Sequence, residues 1–147
     1  MLAWFVDGSD LYVVDCVAVR MEFPELVRFV VQFAARNGYS KQSRIYVEPK
    51  AAGLSIVQQM RRATELNVIA DEAPKDSKLT RLNAVAPIIE AGRVHLPEGA
   101  GWVTEFVEEV AQFPNAKHDD RVDCLVAAIR LGLHKKKGIS TFKTMGI

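Results

Sequence analysis

Two apolar runs on either side of a tight turn constrain this chain more than any other feature. Residues 2–6 and 11–19 are rich in β-branched and aromatic side chains, and Asp7-Gly8-Ser9-Asp10 between them is a strong turn signal. The reading is a β-hairpin, and a hairpin must find further elements to cover its apolar face. The following residues supply them. Pro24 suits the first turn of a helix in which Leu26, Phe29, Val30 and Phe33 recur at helical spacing, until Asn37-Gly38 closes it.

From there short strands and helices alternate. Arg44-Ile45-Tyr46-Val47-Glu48 reads as a strand ending at Pro49, and Gly53 opens a helix with Leu54, Val57 and Met60 on one side and Arg61 and Arg62 at its end. Residues 67–70 form a second short strand. A polar loop from Asp71 to Ser77 leads into a helix from Lys78 to about Ala91, ended by Gly92. Residues 94–97 are a brief extended segment. The amphipathic stretch 102–113 carries Val103, Phe106, Val107 and Val110 on one face, and Asp119 to His134 forms an apolar helix before the basic Lys135-Lys136-Lys137. The expected fold is an α/β domain, a mixed sheet covered by helices on both faces, in a single domain spanning 1–147.

Composition narrows the partners rather than the fold. The formal net charge of +1 excludes a globally basic nucleic-acid binder but leaves room for local basic patches. Cys16 and Cys124 sit in apolar runs with no zinc-like spacing, so they read as buried thiols in a reducing compartment such as a cytoplasm. The opening residues lack the basic segment and apolar stretch of a signal peptide, and no run approaches the ~18 apolar residues of a membrane span.

The strongest chemical signal is His118-Asp119-Asp120-Arg121-Val122-Asp123, directly before the last apolar helix. One or two of these acids are explained by capping and by the helix dipole. Three acids and a histidine are more than a cap needs. Asp120 and Asp123 stand at i and i+3, so both point to one side, and two carboxylates facing one point suit a hard divalent cation such as Mg²⁺ or Mn²⁺. Glu48 is the second signal, an acid at the C-terminal end of a strand, where open α/β sheets place ligands. Lys50, Arg61, Arg62, Lys78 and Arg81 are candidates for a phosphate-facing surface, against the plainer reading of solvated helix faces.

Taken in order, these stretches resemble the nuclease domain of the phage terminase large subunit. Residues 45–53 are similar to its second acidic motif. Lys78-Leu79-Thr80-Arg81 with residues 91–97 resemble its next shared stretch, and residues 106–114 leading to 118–123 its third acidic motif. Residues 11–15 and 23–26 match that domain's hairpin and first helix, so the resemblance covers nearly the whole chain. It implies an RNase H-like fold and a metal-dependent endonuclease that cuts concatemeric double-stranded DNA by two-metal hydrolysis. Glu48, Asp120 and Asp123 would be catalytic and, with Asp119, would hold Mg²⁺ or Mn²⁺. His118 would orient a carboxylate, and Lys50, Lys78 and Arg81 would position DNA phosphates.

The resemblance also implies an upstream ATPase domain, other terminase and portal components, and a phage or prophage origin with activity in the host cytoplasm. In that family the first metal-binding aspartate lies on a strand before the hairpin. This sequence has no counterpart to it, so the domain is expected to be N-terminally truncated, with an incomplete two-metal site and an unpaired sheet edge. Asp7 and Asp15 are the available substitutes. No Gly-rich phosphate-binding loop occurs. Two other readings stay open: a non-catalytic RNase H-like remnant acting in assembly or DNA binding, and a resolvase- or transposase-like enzyme.

Overall fold

The computed structural model describes residues 1–49, 53–72, 74–134 and 141–144. The hairpin forms as the turn signal requires. Strand β1 (Leu2–Asp7) pairs antiparallel with β2 (Asp10–Cys16), and Gly8 takes the positive φ of 59° that the tight turn needs. The register shifts between Ala3 and Trp4, which pair with Asp15 and Val13. Val14 is thus the extra residue of a bulge and lies exposed.

Helix α1 (Phe23–Arg36) follows, with Pro24 in its first turn and Asn37 as its C-cap. Then come β3 (Arg44–Val47), α2 (Gly53–Ala63), β4 (Val68–Ala70), α3 (Lys78–Glu90), β5 (Val94–His95), α4 (Val103–Gln112) and α5 (Asp120–Ile129). A π-helical turn, Arg130–His134, continues α5, and β6 (Thr141–Thr144) completes the described elements. The expected helix over 119–134 is therefore two pieces of different pitch. The expected basic Lys135-Lys136-Lys137 lies outside the described residues.

The six strands form one mixed sheet in the order β4-β3-β6-β1-β2-β5. The parallel pairs are β3 with β4, β3 with β6 and β2 with β5, whereas β1 runs antiparallel to both β2 and β6. This corrects the expectation of an unpaired edge beside the hairpin, because β6 lies between β1 and β3 and pairs with both. The cue was Thr141-Phe142, a β-branched and an aromatic residue in a stretch that shows no period of its own.

Alternation along β1 decides the layers. Leu2 and Trp4 face one side, packed with α5, Val85 of α3 and Phe106 of α4, while Met1 and Ala3 face the other, among Leu26, Val30 and Phe33 of α1 and Val57 and Met60 of α2. Each face of the sheet thus has its own apolar cluster. Seven of the ten residues of α5 are buried, so the acids at its head are fixed by a helix that cannot shift without disturbing that cluster.

Gly132, in the π-helical turn, lies directly over the hairpin. A Cβ at this position would stand 2.7 Å from Cζ3 of Trp4 and 2.8 Å from Cγ2 of Val6. Trp4 is 2% exposed and cannot swing into solvent. Helix propensity alone would make Gly132→Ala stabilising by up to about 1 kcal/mol. We expect the opposite sign, a loss of about 1–3 kcal/mol from overpacking, read as a lower urea midpoint. An unchanged or raised midpoint would show that Trp4 has room to move.

Candidate acidic and phosphate-facing site

Helix α3 begins under a Ser77 cap, whose Oγ accepts the Thr80 N–H at 3.1 Å. That cap fixes Lys78 at the first helical position and Arg81 one turn later, on the same side. A cation at a helix N-terminus opposes the dipole, so Lys78 needs a partner elsewhere. It has two. Its Nζ lies 2.6 Å from Oδ2 of Asp119 and 2.7 Å from Oδ2 of Asp123, and Nη2 of Arg81 stands 3.7 Å from the other oxygen of Asp123.

The carboxylates that meet are therefore Asp119 and Asp123, the residue before α5 and one in its first turn. Their side chains are 42% and 12% exposed, so Asp123 is the enclosed member of the pair. Burial alone would push the Lys78 ammonium down. The hydrogen bonds it donates to the Asp119 and Asp123 carboxylates, with their negative charge, outweigh it and hold the group above the usual lysine range.

Asp120 belongs to different surroundings. It lines a cavity of about 490 Å³ with His118, Arg20, Glu105, Glu109 and Arg121. Within this group Glu109 is 7% exposed and accepts both the Arg121 backbone N–H at 2.6 Å and its Nη1 at 2.9 Å, and Arg121 Nη2 also reaches Glu105 at 2.7 Å. Asp119, at the N-cap position of α5, makes no side-chain capping bond. The cap comes instead from Glu109 of α4. This leaves the Asp119 carboxylate free to meet Lys78.

Glu48 follows the last residue of β3 and is half-buried. Asp71, in the same position after β4, is 4% exposed and held by Arg130, whose Nη2 lies 2.6 Å from both carboxylate oxygens. Of the substitutes for a first aspartate, Asp15 is held by Arg36 at 2.7 Å and Asn37 at 2.9 Å, and Asp7 is an exposed residue at the end of β1. Lys50 lies outside the described residues.

Among the described residues no three His, Cys, Asp or Glu side chains stand close enough together to hold a metal ion. The acid pair with an ammonium between its oxygens does not fit a divalent centre in this arrangement. Sequence reasoning passed over Glu109 and Arg130. Glu109 had a signal, an acid one turn after Phe106 on the inward face of α4. Val107, assigned to that face, is 47% exposed.

The architecture is a hairpin-led mixed sheet with helices on both faces and acids heading a buried helix. The chain matches the family model described as "Terminase RNaseH-like domain" over residues 3–131, and it belongs to that family. No curated protein and no solved structure matches it. Membership makes this a nuclease-type module of a terminase, from a class of domains that generally uses divalent metals. Among the described residues no helix is long and apolar enough to cross a membrane.

Proposed function

We propose that this chain is the nuclease module of a viral DNA-packaging terminase, in one domain, hydrolysing phosphodiester bonds of concatemeric double-stranded DNA. Family membership over residues 3–131 carries this reading. The geometry adds two supports: acids heading a rigid, buried helix, and basic residues of α3 beside them. In this reading Asp123, Asp119 and Glu48 form the acidic centre, with Asp120 and His118 beside it in the neighbouring cavity. Lys78, Arg81 and Lys50 face DNA phosphates. A phage or prophage protein of this kind would act in the host cytoplasm, with an ATPase domain and portal components as partners. Its Mg²⁺ or Mn²⁺ would need the Lys78 ammonium displaced from Asp119 and Asp123.

Cleavage of supercoiled plasmid in Mn²⁺ or Mg²⁺ tests the proposal. We expect nicking by the parent chain and none by Glu48→Ala or Asp123→Ala, with all three equally folded by circular dichroism. A parent that cuts nothing in either ion would sink cleavage by this chain. One observation favours that second reading, a non-catalytic assembly or DNA-binding module: the acid pair is already neutralised from within, by Lys78 and Arg81.

A further inference from the structure

A metal-using family and a lysine-filled acid pair do not agree, and the disagreement is informative. Two carboxylates would suffice for an ion of the Mg²⁺ type, which keeps several waters and takes only one or two carboxylates from a protein. The number of donors is therefore not what excludes an ion at the head of α5. The Lys78 ammonium does, since it takes an oxygen of Asp119 and an oxygen of Asp123 at hydrogen-bonding distance, while Arg81 adds positive charge on the remaining Asp123 oxygen.

The arrangement is fixed by the chain's own elements. The Ser77 cap sets where α3 begins, and the capping of α5 by Glu109 releases Asp119 from that duty. Both features serve the Lys78 contact, although Lys78 at its own helix N-terminus is unfavourable.

We propose that Lys78 is a tethered cation that keeps divalent ions off Asp119 and Asp123 in the DNA-free domain. The metal's relevance rests on the nuclease reading above. Under that reading cleavage requires a competing anion for Lys78, and the phosphates of the duplex are that anion.

The test uses the full chain without DNA and measures Mn²⁺ binding by electron paramagnetic resonance titration. The parent should bind weakly. Lys78→Met and Lys78→Gln should bind roughly tenfold tighter or more, because a unit positive charge beside the pair is lost. Lys78→Arg, which restores a cation, should stay weak, and adding Asp123→Asn to Lys78→Met should abolish the gain. Circular dichroism identifies which of the two neutral variants is folded. A parent that binds Mn²⁺ as tightly as the neutral variants overturns the proposal. So does a folded neutral variant that binds no tighter than the parent. No DNA is present, so failure here leaves the cleavage reading to its own plasmid assay.

Discussion

Arg130→Met should cost this domain about 3–5 kcal/mol, the usual consequence of removing one partner from a buried ion pair. Asp71 is 4% exposed, and Arg130 Nη2 lies 2.6 Å from both of its carboxylate oxygens. Methionine preserves much of the stem's packing but leaves a buried carboxylate without its guanidinium. The location adds to the effect. Arg130 stands where α5 passes into the π-helical turn, and Asp71 follows directly on β4. The pair therefore ties the end of the buried helix to the outer part of the sheet. For a domain of this size the loss corresponds to a fall in melting temperature on the order of 10 °C. The double variant Arg130→Met with Asp71→Leu should recover part of it, since two apolar groups strand no charge. A single variant within about 1 kcal/mol of the parent would mean that water or another group solvates Asp71, and the pair would then be a surface contact in energetic terms.

Much of this architecture was legible in the residues, and the parts that were not share a cause. The hairpin, α1 and α3 stood out because their turn and cap residues are local: Asp7-Gly8, Asn37-Gly38 and Gly92 mark ends without reference to the rest of the fold. Strand β6 was missed because Thr141–Thr144 holds a single apolar residue, Phe142, whereas Arg44–Val47 and Val68–Ala70 are mostly apolar. Its place between β1 and β3 depends on partners more than a hundred residues earlier for β1 and nearly as many for β3. The acidic run at 118–123 was visible, but its division was not. Helical spacing put Asp120 with Asp123, whereas the tertiary structure puts Asp119 with Asp123 on Lys78 and turns Asp120 to the cavity. Spacing on one helix says which side chains share a side, and only the neighbouring helix decides which of them are used. Lys78 and Arg81 show the same limit. Read alone they are phosphate-facing cations, and in the folded chain they are also the counter-charge of the acids next to them.

Glu109 shows how far such a partner can matter, and Glu109→Ala should cost about 3 kcal/mol. Two losses combine. The Arg121 backbone N–H, in the first turn of α5, loses the acceptor at 2.6 Å that substitutes for a side-chain cap, and caps of this kind are worth about 1 kcal/mol. The Arg121 guanidinium loses its enclosed carboxylate and keeps the exposed Glu105 and the neighbouring Cys16 thiol, while its buried Nε already makes no hydrogen bond among the described residues. Arg121→Met should cost at least as much, because the Glu109 carboxylate, the more buried of the two groups, keeps the backbone N–H of residue 121 but loses its counter-charge. Glu109→Gln should fall between Ala and the parent, since its amide oxygen can still cap the helix although it cannot pair a charge. Urea denaturation of the three variants gives the order directly. If Gln costs as much as Ala, charge and not capping is the contribution of Glu109. If Ala is within about 1 kcal/mol of the parent, α5 does not depend on α4 for its cap, and Asp119 would then be expected to turn back from Lys78 to supply one.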